Sequence, residues 1–152
     1  MTDPRDALRP GERAVETPAA FDAGLWFIGR IETPWPDRDA CPKRGDAEAG
    51  PLCRIVLAEP WAAAAEGLVP GQRLQALYWM DRARRDVVVQ NPGRKGALKG
   101  TFALRSPVRP NPVASSLVAL VAVDGPALTV RGLDCADGTP LIDLKPDACP
   151  HG

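Results

Sequence analysis

Apolar and polar positions exchange over short distances along this chain, and the exchange predicts strands. Over residues 72–80, QRLQALYWM, Leu74, Ala76, Tyr78 and Met80 recur at every second position, the period of a strand with one buried face. Residues 24–33, GLWFIGRIET, are rich in β-formers and are stopped by Pro34 and Pro36. Residues 52–57, 86–90, 100–104, 116–123, 127–132 and 141–144 read as further strands, with Asp124-Gly125 as a turn signal. Only residues 61–68, WAAAAEGL, have a helical character, because alanine has the best helix propensity, and Pro70-Gly71 ends that stretch. The pattern predicts an all-β fold, a small β-barrel or sandwich of about seven or eight short strands with one short helix. A parallel α/β fold would need longer crossover helices than the segments between these strands can hold. Residues 1–20, charged and rich in Pro and Ala without sustained periodicity, read as a flexible N-terminal arm, leaving residues 21–152 as the folded domain.

Composition sharpens this picture in one respect. Proline makes up 17 of 152 residues, roughly twice the usual share of about 5%. Proline cannot donate to a ladder, so short elements and fixed turns are expected. Formal net charge is zero and the sequence pI is ≈ 6.6, which argues against broad, non-specific nucleic-acid binding. A local basic stretch nonetheless runs through Arg82, Arg84, Arg85, Arg94, Lys95, Lys99, Arg105 and Arg109. It reads either as a solvated face or as a guide for an RNA backbone. Cys41, Cys53, Cys135 and Cys149 form no Cys-x-x-Cys pair, and the one histidine is His151, so no metal site is expected. With no apolar run of membrane-span length, a cytoplasmic protein with reduced thiols and no membrane partner is expected.

Three stretches carry candidate chemistry. In RSPVRPNP, Arg105 to Pro112, three prolines fix the backbone around Arg105, Arg109 and Asn111. A stiff segment preorganises an arginine fork for a carboxylate, phosphate or stacked base, or it simply closes a barrel edge. In GLDCADGTPLIDLKP, Asp137-Gly138 is a tight-turn pair, and Asp134 and Asp137 suit a ribose, an amino group or a nearby cation. Solvated turn acids are the alternative. In CPKR, Cys41 to Arg44, a proline bend precedes two cations.

Taken in this order, IGRIETPW, CPKR, GTFALRSPVRPNP and DCADGTPLIDLKP resemble the TsaA-like family, whose characterised bacterial members are the TrmO tRNA methyltransferases. The resemblance runs from about Trp26 to Pro146 and marks a short, divergent member. It implies a small β-barrel that binds S-adenosyl-L-methionine, methylates N6 of threonylcarbamoyladenosine in tRNA, and forms a homodimer. It also implies cofactor contacts at Pro42, Lys43, Arg44, Met80, Asp81, Arg105, Ser115, Asp134, Cys135, Ala136 and Asp137. Arg109 and Asn111 are the catalytic candidates, positioning an anionic base. The chain departs from the family pattern at Val108, where His is common, and at Asp81, also a frequent His position. Two alternatives follow from those departures: a methyltransferase of the same fold with another acceptor, and a non-catalytic module that binds S-adenosylmethionine or a nucleotide.

Overall fold

The computed structural model describes residues 3–148; Cys149 and His151, named above, lie outside them. The described residues contain nine strands: β1 (Arg13–Ala14), β2 (Gly29–Glu32), β3 (Cys53–Leu57), β4 (Arg73–Trp79), β5 (Val87–Gln90), β6 (Lys99–Gly100), β7 (Val113–Asp124), β8 (Ala127–Arg131) and β9 (Thr139–Pro146). The chain divides into two compact units. One joins residues 25–79 to residues 115–152, and the other joins residues 1–24 to residues 80–114.

The first unit is built on a closed barrel in the order β2-β3-β8-β7-β4-β9, with β9 pairing back onto β2. Six strands close it, slightly fewer than the sequence pattern suggests. The register explains the core. Ile31 on β2 sits opposite Ile55 on β3, which sits opposite Leu128 on β8, and all three are fully buried. Inward-facing β-branched and leucine side chains from neighbouring strands therefore stack in one layer, each contributing about 1.5–3 kcal/mol. On β4 the alternation holds at Leu74, Ala76 and Tyr78, whereas Met80 lies past the strand end and is half-buried. The register between β4 and β9 shifts between Leu77 and Tyr78, an irregularity of the kind that re-aims side chains. The predicted helix at residues 61–68 is only a 3-10 turn over Ala62–Ala65. Gly67, with φ of 93°, and Pro70 stop it before a second turn can form.

The second unit carries a three-stranded sheet, β1-β5-β6. Residues 3–20, read from sequence as an arm, supply β1, and Arg13 and Ala14 pair with Val89 and Val87. Arg9 donates to the carbonyl of Asn91, and Glu12 accepts from the amide of Asn91. The strand predicted over residues 100–104 is corrected. Pairing ends at Gly100, and Thr101–Ala103 is a 3-10 turn. The reason lies at Thr101. Its buried hydroxyl donates to the Val87 carbonyl at 2.8 Å and accepts from the Gln90 amide at 2.9 Å, so a side chain takes the place of a ladder bond.

Candidate functional site

The predicted site residues fall on both units. On the barrel unit, residues 33–50 form a long loop built from two aspartate turns. Asp37 accepts from the amides of Asp39 and Ala40, and Asp46 accepts from those of Glu48 and Ala49. These two amides hold the Asp46 carboxyl below the usual carboxylate range. Pro42, Lys43 and Arg44 lie between the turns and are exposed, and neither cation forms an ion pair with another described residue.

Two glycines fix where that loop lies. A Cβ on Gly45 would overlap the carbonyl oxygen of Gly132. Gly132 itself has φ of 115°, and a Cβ there would come within 2.6 Å of the Leu117 carbonyl oxygen and 3.3 Å of the Ala47 Cα. Backbone therefore meets backbone directly, which only glycine permits. The contact places the CPKR loop against the start of the segment Gly132 to Asp137. Cys41 reports the same proximity: burial raises its thiol pKa, and the Asp134 and Asp37 carboxylates raise it further.

Asp134 is half-buried and oriented from inside the barrel. The Tyr78 hydroxyl donates to Asp134 Oδ1 at 2.6 Å, and Ser116 Oγ lies 2.7 Å from the same tyrosine oxygen. Ser116 is also 3.4 Å from Asp134 Oδ1. Burial, followed by the bond to Asp134, pushes the Tyr78 pKa well above that of an ordinary tyrosine, so its proton stays in place. From sequence Tyr78 reads only as a core position and Ser116 only as the start of a strand. The available signal was the chain's single tyrosine at a buried strand position, where a phenol needs a polar partner.

The other predicted barrel residues are scaffold-like in their contacts. Cys135 is buried and its thiol is pushed up to about 12, mainly by burial, which rules it out as a thiolate at neutral pH. Its carbonyl accepts from the Thr33 hydroxyl, and the Ala136 carbonyl accepts from the Thr139 hydroxyl. Asp137 is exposed and accepts from the Thr33 amide at 3.0 Å, while its own amide donates to Trp35. Ser115 donates to Gln75 Oε1 at 2.8 Å.

The second unit holds Met80, Asp81, Arg105, Arg109 and Asn111. The Met80 amide donates to the Pro112 carbonyl, and Asp81 and Arg105 are exposed. Arg109 Nη1 donates to the carbonyls of Leu104 and Ser106 at 3.0 and 2.9 Å. One arm of the predicted anion fork thus holds the turn of its own segment. Asn111 accepts from Arg85, whose Nε donates to the Pro110 carbonyl and whose guanidinium lies 4.7 Å from the ring centre of Phe21. The stiffness expected of RSPVRPNP therefore comes from side chain–backbone hydrogen bonds as well as from proline. Among the described residues no cluster of three His, Cys, Asp or Glu could hold a metal, and no helix is long and apolar enough to cross a membrane.

A six-stranded closed barrel with a carboxylate anchored from its interior and a glycine-tethered cationic loop beside it defines a small-ligand-binding β-barrel. The chain belongs to the tRNA-methyltransferase O N-terminal domain family, whose model matches residues 30–148. It is 49% identical to the probable S-adenosyl-L-methionine-binding protein VirR of Rhizobium radiobacter, over 92% of this chain and 79% of that protein. The human tRNA (adenine(37)-N6)-methyltransferase is 45% identical over 38% of this chain and 13% of its own length. The crystal structure of TrmO from Pseudomonas aeruginosa superposes with a TM-score of 0.68 at 26% identity, covering 88% of this chain and 60% of that one. The chain thus spans about three fifths of the length of that solved TrmO.

Proposed function

We propose that this protein is an S-adenosylmethionine-dependent methyltransferase acting on N6 of an adenosine in tRNA, with threonylcarbamoyladenosine as the acceptor. The observation that supports the cofactor part is the Gly45–Gly132 contact, which brings the backbone of the CPKR loop against the segment that begins at Gly132 and contains Asp134. Those residues fit the group. S-adenosylmethionine carries a sulfonium and an ammonium, for which Asp134 and Asp137 supply opposite charge, and a carboxylate, for which Lys43 and Arg44 supply theirs. When bound, it supplies a methyl group on a cationic sulfur.

The residues of this chain do the positioning. Tyr78 and Ser116 fix Oδ1 of Asp134, so that the carboxylate has one orientation before ligand arrives. Cys135 and Ala136 contribute backbone to the wall of the site, and their carbonyls accept from Thr33 and Thr139. In the smaller unit, taken by itself, the remaining edge of the Arg109 guanidinium and the Asn111 amide suit an anionic, carboxylate-bearing group. Ser115, Met80, Asp81 and Arg105 complete the set implied by the family. The chain works as a homodimer in the cytoplasm.

The Rhizobium radiobacter relative is named for S-adenosyl-L-methionine binding alone, and the second reading is a protein that binds the cofactor without transferring its methyl group. Calorimetric titration with S-adenosylmethionine and S-adenosylhomocysteine, followed by methyl transfer to tRNA, separates the two. Micromolar binding lost in Asp134→Ala, with label transferred to tRNA, is expected. Binding without transfer to any RNA supports the second reading, and absence of binding removes both.

A further inference from the structure

We propose that Phe102, on its 3-10 turn, is a stacking platform for an unpaired RNA base, flanked by Arg94, Lys95 and Lys99 as phosphate contacts. This rests on the tRNA reading above and names the surface that would receive the nucleic acid.

Charge is the first support. Residues 87–123 contain no acid at all, and they carry Arg94, Lys95, Lys99, Arg105 and Arg109. The unit of residues 1–24 and 80–114 holds eleven Lys and Arg against seven Asp and Glu, a net +4, so the barrel unit is −4 in a chain of zero net charge. A neutral total therefore conceals a segregated field, positive where RNA would approach.

Construction is the second. Phe102 is 82% exposed, yet it follows a fully anchored residue: Thr101 is 3% exposed and bonded to both Val87 and Gln90. The backbone that carries this large exposed ring is thus fixed at the residue before it. It forms one wall of an apolar hollow of about 160 Å³ with Val88, Ala103 and Pro110. The basic loop beside it in sequence is built as well. Asn91, 3% exposed, accepts from the Gly96 amide and donates to the Pro10 carbonyl. Arg94 adopts φ of 58° within that loop, a conformation uncommon for a residue with a Cβ. An exposed aromatic on an anchored backbone, with cations three to eight residues before it in sequence, suits single-stranded nucleic acid, because every base has a π-face and every linkage a phosphate.

The test measures fluorescence anisotropy of the full chain with a labelled, unmodified anticodon stem-loop and with a fully paired RNA duplex of equal length. Phe102→Ala should weaken stem-loop binding by about tenfold or more and leave duplex binding unchanged, and Phe102→Trp should restore it. Each of Arg94→Ala, Lys95→Ala and Lys99→Ala should reduce the slope of log affinity against log salt by about 0.7–0.9. Wild-type affinity for the stem-loop in Phe102→Ala overturns the proposal while leaving the tRNA reading intact. Failure of the wild type to bind any stem-loop, with S-adenosylmethionine binding retained, overturns the tRNA reading itself. A change in sedimentation on Phe102→Ala without a change in RNA affinity assigns the ring to contact with a second copy of the chain, and also overturns it.

Discussion

The two units of this molecule are held together in different ways. Proline aside, sixteen apolar side chains are buried among the described residues, and fifteen of them lie in the barrel unit, with Val87 alone in the other. The smaller unit instead buries Gln90, Asn91 and Thr101, each hydrogen-bonded to a neighbouring segment. Hydrophobic burial is non-directional and tolerates rearrangement, whereas a buried amide or hydroxyl is stable only in one geometry. The barrel therefore supplies stability, and the smaller unit supplies positional definition to a part-exposed arginine- and proline-rich segment. Among the described residues the barrel also holds polar groups of fixed geometry, Thr139 bonded to the Ala136 carbonyl and the Tyr78–Asp134–Ser116 set, and the latter is its candidate ligand site.

The sharpest test of that division is a core truncation. Leu128 is fully buried in the barrel and faces Ile55 and Val123 across the ladders. Leu128→Ala should cost about 2–5 kcal/mol in urea unfolding, the range for a leucine cavity. A cost below about 1 kcal/mol would show that the barrel is not the stabilising unit. Next comes the glycine contact. Gly45→Ala puts a Cβ onto the Gly132 carbonyl, so one backbone must shift at a cost of about 1–3 kcal/mol. Calorimetry should show S-adenosylmethionine affinity reduced more than tenfold with the barrel still folded. Unchanged affinity would separate the CPKR loop from the cofactor site.

On the smaller unit, Thr101→Val keeps the shape of the side chain and removes its hydroxyl. It leaves the Val87 carbonyl and one Gln90 bond unmet, for about 1–3 kcal/mol. Hydrogen exchange should rise in β5 and β6 and stay constant in the barrel. A uniform rise would mean that the two units unfold as one and that the contrast between them is static only.

These contrasts also explain what the sequence could reveal. Period-two alternation exposed β4 because one of its faces is buried throughout, at Leu74, Ala76 and Tyr78. The same rule failed at residues 100–104, where a single threonine hydroxyl outweighed β propensity, and at β1, which has two exposed residues and no pattern to detect. The length of β7 was understated because residues 113–115, with small or part-exposed side chains, carry no alternation. Among site residues, Asp134 and the CPKR loop were visible as motifs. Their partners were not: Tyr78 and Ser116 lie 56 and 18 residues from Asp134, and Gly45 meets Gly132 only through tertiary packing. A motif records residues adjacent in sequence, whereas the orientation of a carboxylate is set by residues adjacent in space.

The smallest expected effect is a difference in how the two units respond to pH. In the barrel, the Cys135 thiol is raised from 9.0 to about 12, chiefly by burial. Below pH 9 the thiol is neutral whether the chain is folded or unfolded, and its stabilising contribution is fully present. Between pH 9 and about 12 the unfolded thiol ionises first, so stability falls as pH rises. Tyr78, raised in the same sense, adds to the loss above pH 10. In the smaller unit the Arg84 guanidinium, 2.7 Å from Asp86, holds that carboxyl below its usual range. Its contribution is present above the unfolded carboxyl pKa of about 3.9 and is lost as pH falls through the folded value. Asp46, on the exposed barrel loop, titrates in the same direction. Urea midpoints should therefore decline at both ends of the pH range. Cys135→Ala should flatten the decline between pH 9 and 10, and Asp86→Asn should flatten part of the acid one. If Cys135→Ala instead tracks the wild type between pH 9 and 10, that thiol is reached by water in solution, and the barrel wall beside Asp134 opens more readily than the smaller unit's polar anchors.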